Sequence, residues 1–230
     1  MDTSSKLIKK LIPLYSAIFA ISVCFSQNAD PNPNRFQAEI ENFINWDRKN
    51  SFPSDAILFV GSSSIRLWNT AESYPKYDVV NRGFGGAHIS DVIYYYETVV
   101  KKYNPNLIVF YCGDNDIAAG KSTEQVYGDF QEFFKKCKGD FPATKVVYLP
   151  IKPSISRWTF WDKMSQVNKK IELDAKSEPN LVYVNTASPM LSKDGKPKGN
   201  LFVADGLHLN KSGYELWNSI LLPHLQKYAE

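Results

Sequence analysis

The sequence predicts a three-layer α/β/α sandwich on a five-stranded parallel sheet, and two patterns carry that expectation. Five short, continuously apolar runs recur at residues 56–60, 77–80, 107–111, 145–149 and 181–184. Continuous rather than alternating apolar character marks strands covered on both faces. Between and after these runs, residues 90–101, 123–137, 161–175 and 212–228 show helical periodicity. Strand and helix therefore alternate, and each crossover lays a helix over a parallel sheet. Composition agrees, since 43% hydrophobic and 22% charged residues in a 230-residue chain describe an ordinary globular protein.

Before the first run, residues 1–26 read as an export leader. Three lysines lie within the first ten residues, an almost uniformly apolar stretch runs from Leu11 to Phe25, and Ser26 precedes the polar run Gln27-Asn28-Ala29-Asp30. The apolar stretch falls short of the roughly 20 residues that span a bilayer. Cleavage after Ser26 leaves a secreted or periplasmic protein with no stable membrane span. Ile21-Ser22-Val23-Cys24 is an alternative lipoprotein-type signal with Cys24 as the lipidated residue, although Val23 stands where a small residue is usual.

Removing the leader takes Lys6, Lys9, Lys10 and Asp2, which leaves basic and acidic residues nearly equal. That balance supplies no phosphate-neutralising patch, and nucleic acid is excluded as a partner. Cys112 and Cys137 then allow at most one disulfide, so the fold must rest on its core. Residues 27–54 form a Pro- and Asn-containing spacer and a helix over 35–49, whose Phe36, Ile40, Phe43 and Ile44 share one face that packs on the domain. Residues 55–230 form that domain, with no repeat or change of composition within it.

In open parallel sheets, ligands bind beyond the carboxyl ends of the strands. Four loops there carry chemistry: Gly61-Ser62-Ser63-Ser64, Asn81-Arg82-Gly83-Phe84-Gly85-Gly86, Gly113-Asp114-Asn115-Asp116 and Asp205-Gly206-Leu207-His208. A serine hydroxyl becomes a nucleophile when a histidine, oriented by a carboxylate, takes its proton. Of the three histidines only His208 has an aspartate three residues earlier in a glycine-containing turn. Serine and aspartate are also favoured helix caps, which is the structural alternative for each taken singly. Asp114-Asn115-Asp116 lacks the further oxygen ligands of a calcium loop, and no metal or organic cofactor is expected.

Taken in order, these blocks resemble the SGNH hydrolases, also called GDSL esterases and lipases. The resemblance runs from about residue 56 to the C-terminus and implies the flavodoxin-like fold of that family. Phe59-Val60-Gly61-Ser62-Ser63-Ser64 is similar to the first block and maps the nucleophile to Ser63. Val79-Val80-Asn81 with Gly85-Gly86 is similar to the second and maps an oxyanion glycine to Gly86. Gly113-Asp114-Asn115-Asp116 resembles the third, with Asn115 as side-chain donor, and Asp205-Gly206-Leu207-His208 resembles the last, with Asp205 and His208 completing the triad. The family usually has an acidic residue where this chain has Ser62. Ser62 and Ser64 remain alternative nucleophiles at this stage, and Gly83 and Gly85 alternative oxyanion donors.

The resemblance implies a serine esterase that cleaves carboxylic esters through an acyl-enzyme. Aromatic and basic residues near the blocks, Arg66, Trp68, Arg157, Trp158 and Trp161, are candidate substrate contacts; the exit loop with Arg157 and the two tryptophans Trp158 and Trp161 suits a platform for a sugar ring or a lid over an acyl chain, with core packing as the alternative. The expected substrate is a small-molecule or carbohydrate ester with a short acyl group such as acetyl. The alternatives are a lysophospholipase- or thioesterase-like acyl hydrolase, an acyltransferase, and a carbohydrate-binding protein without turnover.

Overall fold

The computed structural model describes residues 30–229. The leader, Cys24 and the start of the spacer lie outside the described residues. In chain order the elements are α1 (Gln37–Lys49), β1 (Ile57–Gly61), α2 (Ser63–Arg66), α3 (Thr70–Ser73), β2 (Val79–Gly83), α4 (Ile89–Tyr94), α5 (Tyr96–Val99), β3 (Leu107–Tyr111), α6 (Asp114–Ala118), α7 (Thr123–Asp140), β4 (Lys145–Tyr148), α8 (Trp161–Asp174), β5 (Leu181–Tyr183) and α9 (Lys211–Tyr228). The strands pair in the order β2-β1-β3-β4-β5, all parallel. This is the expected α/β architecture. Among the described residues no helix is long and apolar enough to cross a membrane.

Side-chain alternation sorts each strand between two cores. Leu58, Val60, Ile108, Phe110, Val146 and Tyr148 join one cluster with residues of α1, α4, α7 and α8. Ile57, Phe59, Leu107, Val109, Val147 and Leu149 join the other, closed by Trp68, Tyr74 and the α9 residues Trp217, Leu221 and Leu225. The capping box at Ser122 and Gln125 starts α7, each side chain accepting the other's backbone N–H, at 3.1 and 2.8 Å.

The helix before the first strand docks on this frame. Phe36 and Ile40 are buried, and Phe43 and Ile44 pack beside them. Its end is pinned electrostatically by Arg82, Lys102 and the Tyr103 hydroxyl, which converge on Asp47. Burial alone would raise the Asp47 carboxyl, but those hydrogen bonds and the Arg82 charge hold it below the ordinary carboxylate value.

Two elements differ from the sequence reading. The run at 77–80 is displaced to Val79–Gly83, so Asn81-Arg82-Gly83 belongs to the sheet rather than to the loop. Backbone pairing with Phe59, Val60 and Gly61 does not depend on apolar side chains, and the polar ones find partners off the strand. The helix expected over 90–101 breaks at Tyr95, whose hydroxyl donates to the Pro33 carbonyl at 3.0 Å and whose ring packs edge-on against Phe84.

The strand order reverses at β1, which lies between β2 and β3, so the ends of β1 and β3 are where a ligand site is expected. Gly61 makes the exit from β1 possible. Its φ is +141°, and a Cβ there would lie 1.9 Å from the Tyr111 carbonyl oxygen. The next amide, Ser62 N–H, donates to that same oxygen at 3.0 Å. A Gly61→Ala substitution combines backbone strain of about 1–3 kcal/mol with overpacking of about 1–3 kcal/mol. Chemical denaturation is expected to show a loss of several kcal/mol or no folded protein.

Candidate active site

The turn at Gly61 delivers three serines to different surroundings. Ser62 is fully buried, and its Oγ has no hydrogen-bond partner among the described residues. Ser64 is also buried, and its Oγ accepts a hydrogen bond from Lys152 Nζ at 3.1 Å. Ser63 opens α2, and its Oγ lies 3.1 Å from His208 Nε2. As the first residue of a helix, Ser63 also has a backbone N–H with no intrahelical acceptor.

Asn81 anchors this short helix from β2. Its Nδ2 donates to the Ile65 and Trp68 carbonyls at 2.8 and 3.2 Å, and its Oδ1 accepts from Gly83 N–H at 3.0 Å. Sequence reading placed Asn81 in a motif without a task. The cue available was a polar residue directly after an apolar strand.

His208 and Asp205 occupy the tip of a small hairpin closed by the Phe202–Leu209 bridge and by the Val203 N–H to His208 carbonyl bond at 2.9 Å. Asp205 Oδ1 accepts the backbone N–H groups of Leu207 and His208 at 2.8 and 2.9 Å, while Oδ2 lies 2.6 Å from His208 Nδ1. The hydrogen bond from the His208 ring, followed by the two backbone donors, draws the Asp205 carboxyl down to about 2. It is therefore an anion that holds the ring by Nδ1–H and leaves Nε2 as the acceptor facing Ser63. The helix-cap alternative for Asp205 does not apply, because Asn210 caps α9 by accepting from Gly213 N–H at 3.1 Å.

Asn115 enters from the β3 exit. One side-chain N–H donates to the Ala87 carbonyl at 2.9 Å, and Oδ1 accepts from Arg157 Nη2 at 2.9 Å. The second N–H of the amide has no acceptor among the described residues and is open to a ligand. In the glycine loop, Gly83 and Gly85 N–H groups donate to Asn81 Oδ1 and Glu39 Oε1. Gly86 N–H makes no hydrogen bond among the described residues. Its φ is +79° and the space where a Cβ would stand is open. Of the three glycines it has the amide left over for a ligand.

The candidate substrate residues divide. Trp68 is not exposed as a substrate contact. Only 2% of it is exposed, it packs against Phe59, Tyr74 and Trp217, and its Nε1 donates to Asn218 Oδ1 at 2.8 Å. The apolar helix face needed that ring to close the core. Arg157 also turns inward, with Nη1 2.9 Å from Asp114 Oδ2 and Nη2 on Asn115. Arg66 is about half exposed and lies against Gly85. Trp158 and Trp161 are partly buried and stack with centroids 5.9 Å apart, with Lys196 Nζ over the Trp158 ring.

Several charged residues at the site were not anticipated as a group. Asp114 meets Lys152 and Arg157, and Asp116 meets Lys121 at 3.1 Å and the Ile89 N–H at 3.1 Å. Each of the two acids that flank Asn115 thus already has a cation. Cys112 and Cys137 are buried free thiols, and burial raises both.

A sequence model of GDSL-like lipases and acylhydrolases matches residues 66–216, a segment that begins just after Ser63 and includes Gly86, Asn115, Asp205 and His208. The chain belongs to the GDSL-like lipase/acylhydrolase family. A search of curated proteins finds no match. Among solved structures, a GDSL-like lipase from Bacteroides thetaiotaomicron VPI-5482 superposes with a TM-score of 0.72 at 19% identity, covering 83% of this chain and 98% of that one. A protein from Streptococcus pneumonia provisionally described as a platelet activating factor gives 0.74 at 20% identity, covering 83% and 93%. A catalytic mutant of an acetylxylan esterase from Geobacillus stearothermophilus gives 0.61 at 13% identity, covering 76% and 96%. At these identities the likeness is one of fold. Membership of the GDSL-like family supports ester hydrolysis as the general reaction class.

Proposed function

We propose that the protein is an exported serine esterase that removes a short acyl group, acetyl in the first instance, from a carbohydrate or other small alcohol. The observation that carries the reaction is the line from Ser63 Oγ to His208 Nε2 at 3.1 Å and from His208 Nδ1 to Asp205 Oδ2 at 2.6 Å. Ser63 attacks the ester carbonyl as His208 takes its proton. His208 returns that proton to the leaving alcohol, and a water then releases the acid from the acyl-enzyme by the same route. The Ser63 and Gly86 N–H groups and the Asn115 side-chain amide meet the tetrahedral oxyanion, and Asp205 stabilises the imidazolium.

The test is the intact mass of the protein after exposure to a fluorophosphonate. One adduct is expected on the wild type and none on Ser63→Ala. No adduct together with no turnover of p-nitrophenyl acetate would overturn the esterase reading and favour a binding protein on the same fold. Asn115→Ala removes one oxyanion donor and is expected to lower kcat by about 10²–10³-fold with KM little changed, as steady-state kinetics would show.

For the alcohol side, the candidates are the stacked Trp158 and Trp161, on the segment whose Arg157 donates to Asn115. The acetylxylan esterase among the structural neighbours is in keeping with an acetylated carbohydrate. A second reading, cleavage of longer acyl chains, draws on the exposed Leu67, Ile155 and Val203, which lie on the three segments that carry or contact the site. A series of p-nitrophenyl esters separates the two: kcat/KM falling from acetate to octanoate supports the short-acyl reading, and a rise overturns it.

A further inference from the structure

The loop that leaves β4 touches three arms of the site. Lys152, just beyond the strand, is only 1% exposed, and its Nζ donates to Ser64 Oγ at 3.1 Å and to the Tyr111 hydroxyl at 3.0 Å. It also lies 3.4 Å from Asp114 Oδ2. Farther along, Ser156 N–H donates to the Gly206 carbonyl at 3.1 Å, between Asp205 and His208. Arg157 then spans Asp114 and Asn115, at 2.9 Å to each. One short segment thus contacts the nucleophile helix, the acid–base hairpin and the Asn115 turn.

The contact on Asn115 has a specific consequence. The two ends of an amide are nearly the same shape, but only the N–H end stabilises an oxyanion, and the oxygen end repels it. The Ala87 carbonyl, which accepts from one N–H, and the Arg157 guanidinium, which donates to Oδ1, favour the same orientation from opposite ends of the amide. We infer that Arg157 is a positioning residue that, together with the Ala87 carbonyl, locks the Asn115 amide with its N–H toward the oxyanion, and that Asp114, itself paired with the buried Lys152, holds the guanidinium in place. This rests on the esterase reading.

Burial alone would raise the Asp114 carboxyl, yet Lys152 and Arg157 together hold it below its ordinary value, so the acid is an anion able to grip the guanidinium. Arg157 Nη2 donates to Asn115 while Nη1 lies against the Asp114 carboxylate, a division between two nitrogens of one planar group that a lysine ammonium at the same place does not reproduce.

A double-mutant cycle on p-nitrophenyl acetate tests this. Arg157→Gln is expected to lower kcat about tenfold, with KM unchanged, because it acts through a single oxyanion donor. In the Asn115→Ala background the same substitution is expected to change kcat by less than about twofold, since nothing is left to position. Arg157→Lys keeps a charge opposite Asp114 but loses the fork. It is expected to behave like Arg157→Gln, and it carries the cycle if the glutamine variant does not fold. Full activity in both Arg157 variants, or an equal loss with and without Asn115, would overturn the inference while leaving the esterase reading intact. No Ser63 adduct and no turnover in the wild type would overturn both.

Discussion

Ser63→Ala is expected to abolish turnover of p-nitrophenyl acetate, with a loss in kcat of about 10⁶-fold. The neighbouring serines make the comparison sharp. Ser62→Ala removes a buried hydroxyl that has no partner among the described residues, so stability is expected to be unchanged or slightly higher, and turnover is expected to remain. Ser64→Ala removes an acceptor from Lys152 and is expected to weaken the fold modestly without loss of the reaction. Activity that survived Ser63→Ala and vanished with either neighbour would move the nucleophile and overturn the assignment. Three adjacent residues of one type, differing only in surroundings, make this a measurement of geometry rather than of chemistry.

Asp205→Asn is expected to lower kcat by about 10⁴-fold while leaving KM nearly unchanged. The Leu207 and His208 N–H groups claim the oxygen that is Oδ1 in Asp205, and in the variant they select the amide oxygen. The amide nitrogen then faces His208 Nδ1, which must become an acceptor, and the ring proton moves to Nε2. Nε2 can no longer take the proton of Ser63. A wild-type rate in this variant would show that the carboxylate has no part in the reaction.

The pH dependence follows from the same contacts. The folded Asp205 carboxyl is down to about 2, below its unfolded value. Its contribution to stability is therefore present above the ordinary carboxylate range and is lost as pH falls through about 2. That contribution is small, because the side chain is about half exposed and screened by solvent. Down to roughly pH 4, kcat/KM measured against pH is expected to show no acidic step from Asp205.

The layers and the sheet were legible because burial on both faces of a parallel strand demands continuous apolar side chains, which are visible one residue at a time. The β2 strand was misplaced by the same logic. Its second half is polar, and it belongs to the sheet through backbone pairing and through partners such as Asp47, more than thirty positions earlier in the chain. Trp68 is a candidate substrate contact by its place shortly after the nucleophile, whereas the facing helix, with Trp217, takes its ring into the core.

The sequence by itself determined the kinds of group available and the turns that present them: serines after the first strand, an Asp-x-x-His turn before the last helix, and an asparagine after a glycine. These are local features, since glycine and aspartate set turn geometry within a few residues. Only the tertiary structure decided which serine faces His208, which glycine amide has no partner among the described residues, and which way the Asn115 amide points. Each of those outcomes depends on an approach of a few ångströms between segments far apart in the chain, such as Arg157 on Asn115 and His208 on Ser63. Chain order carries no record of such distances, because they are set by how the β1, β3 and β4 exits and the hairpin before α9 close over one end of the sheet.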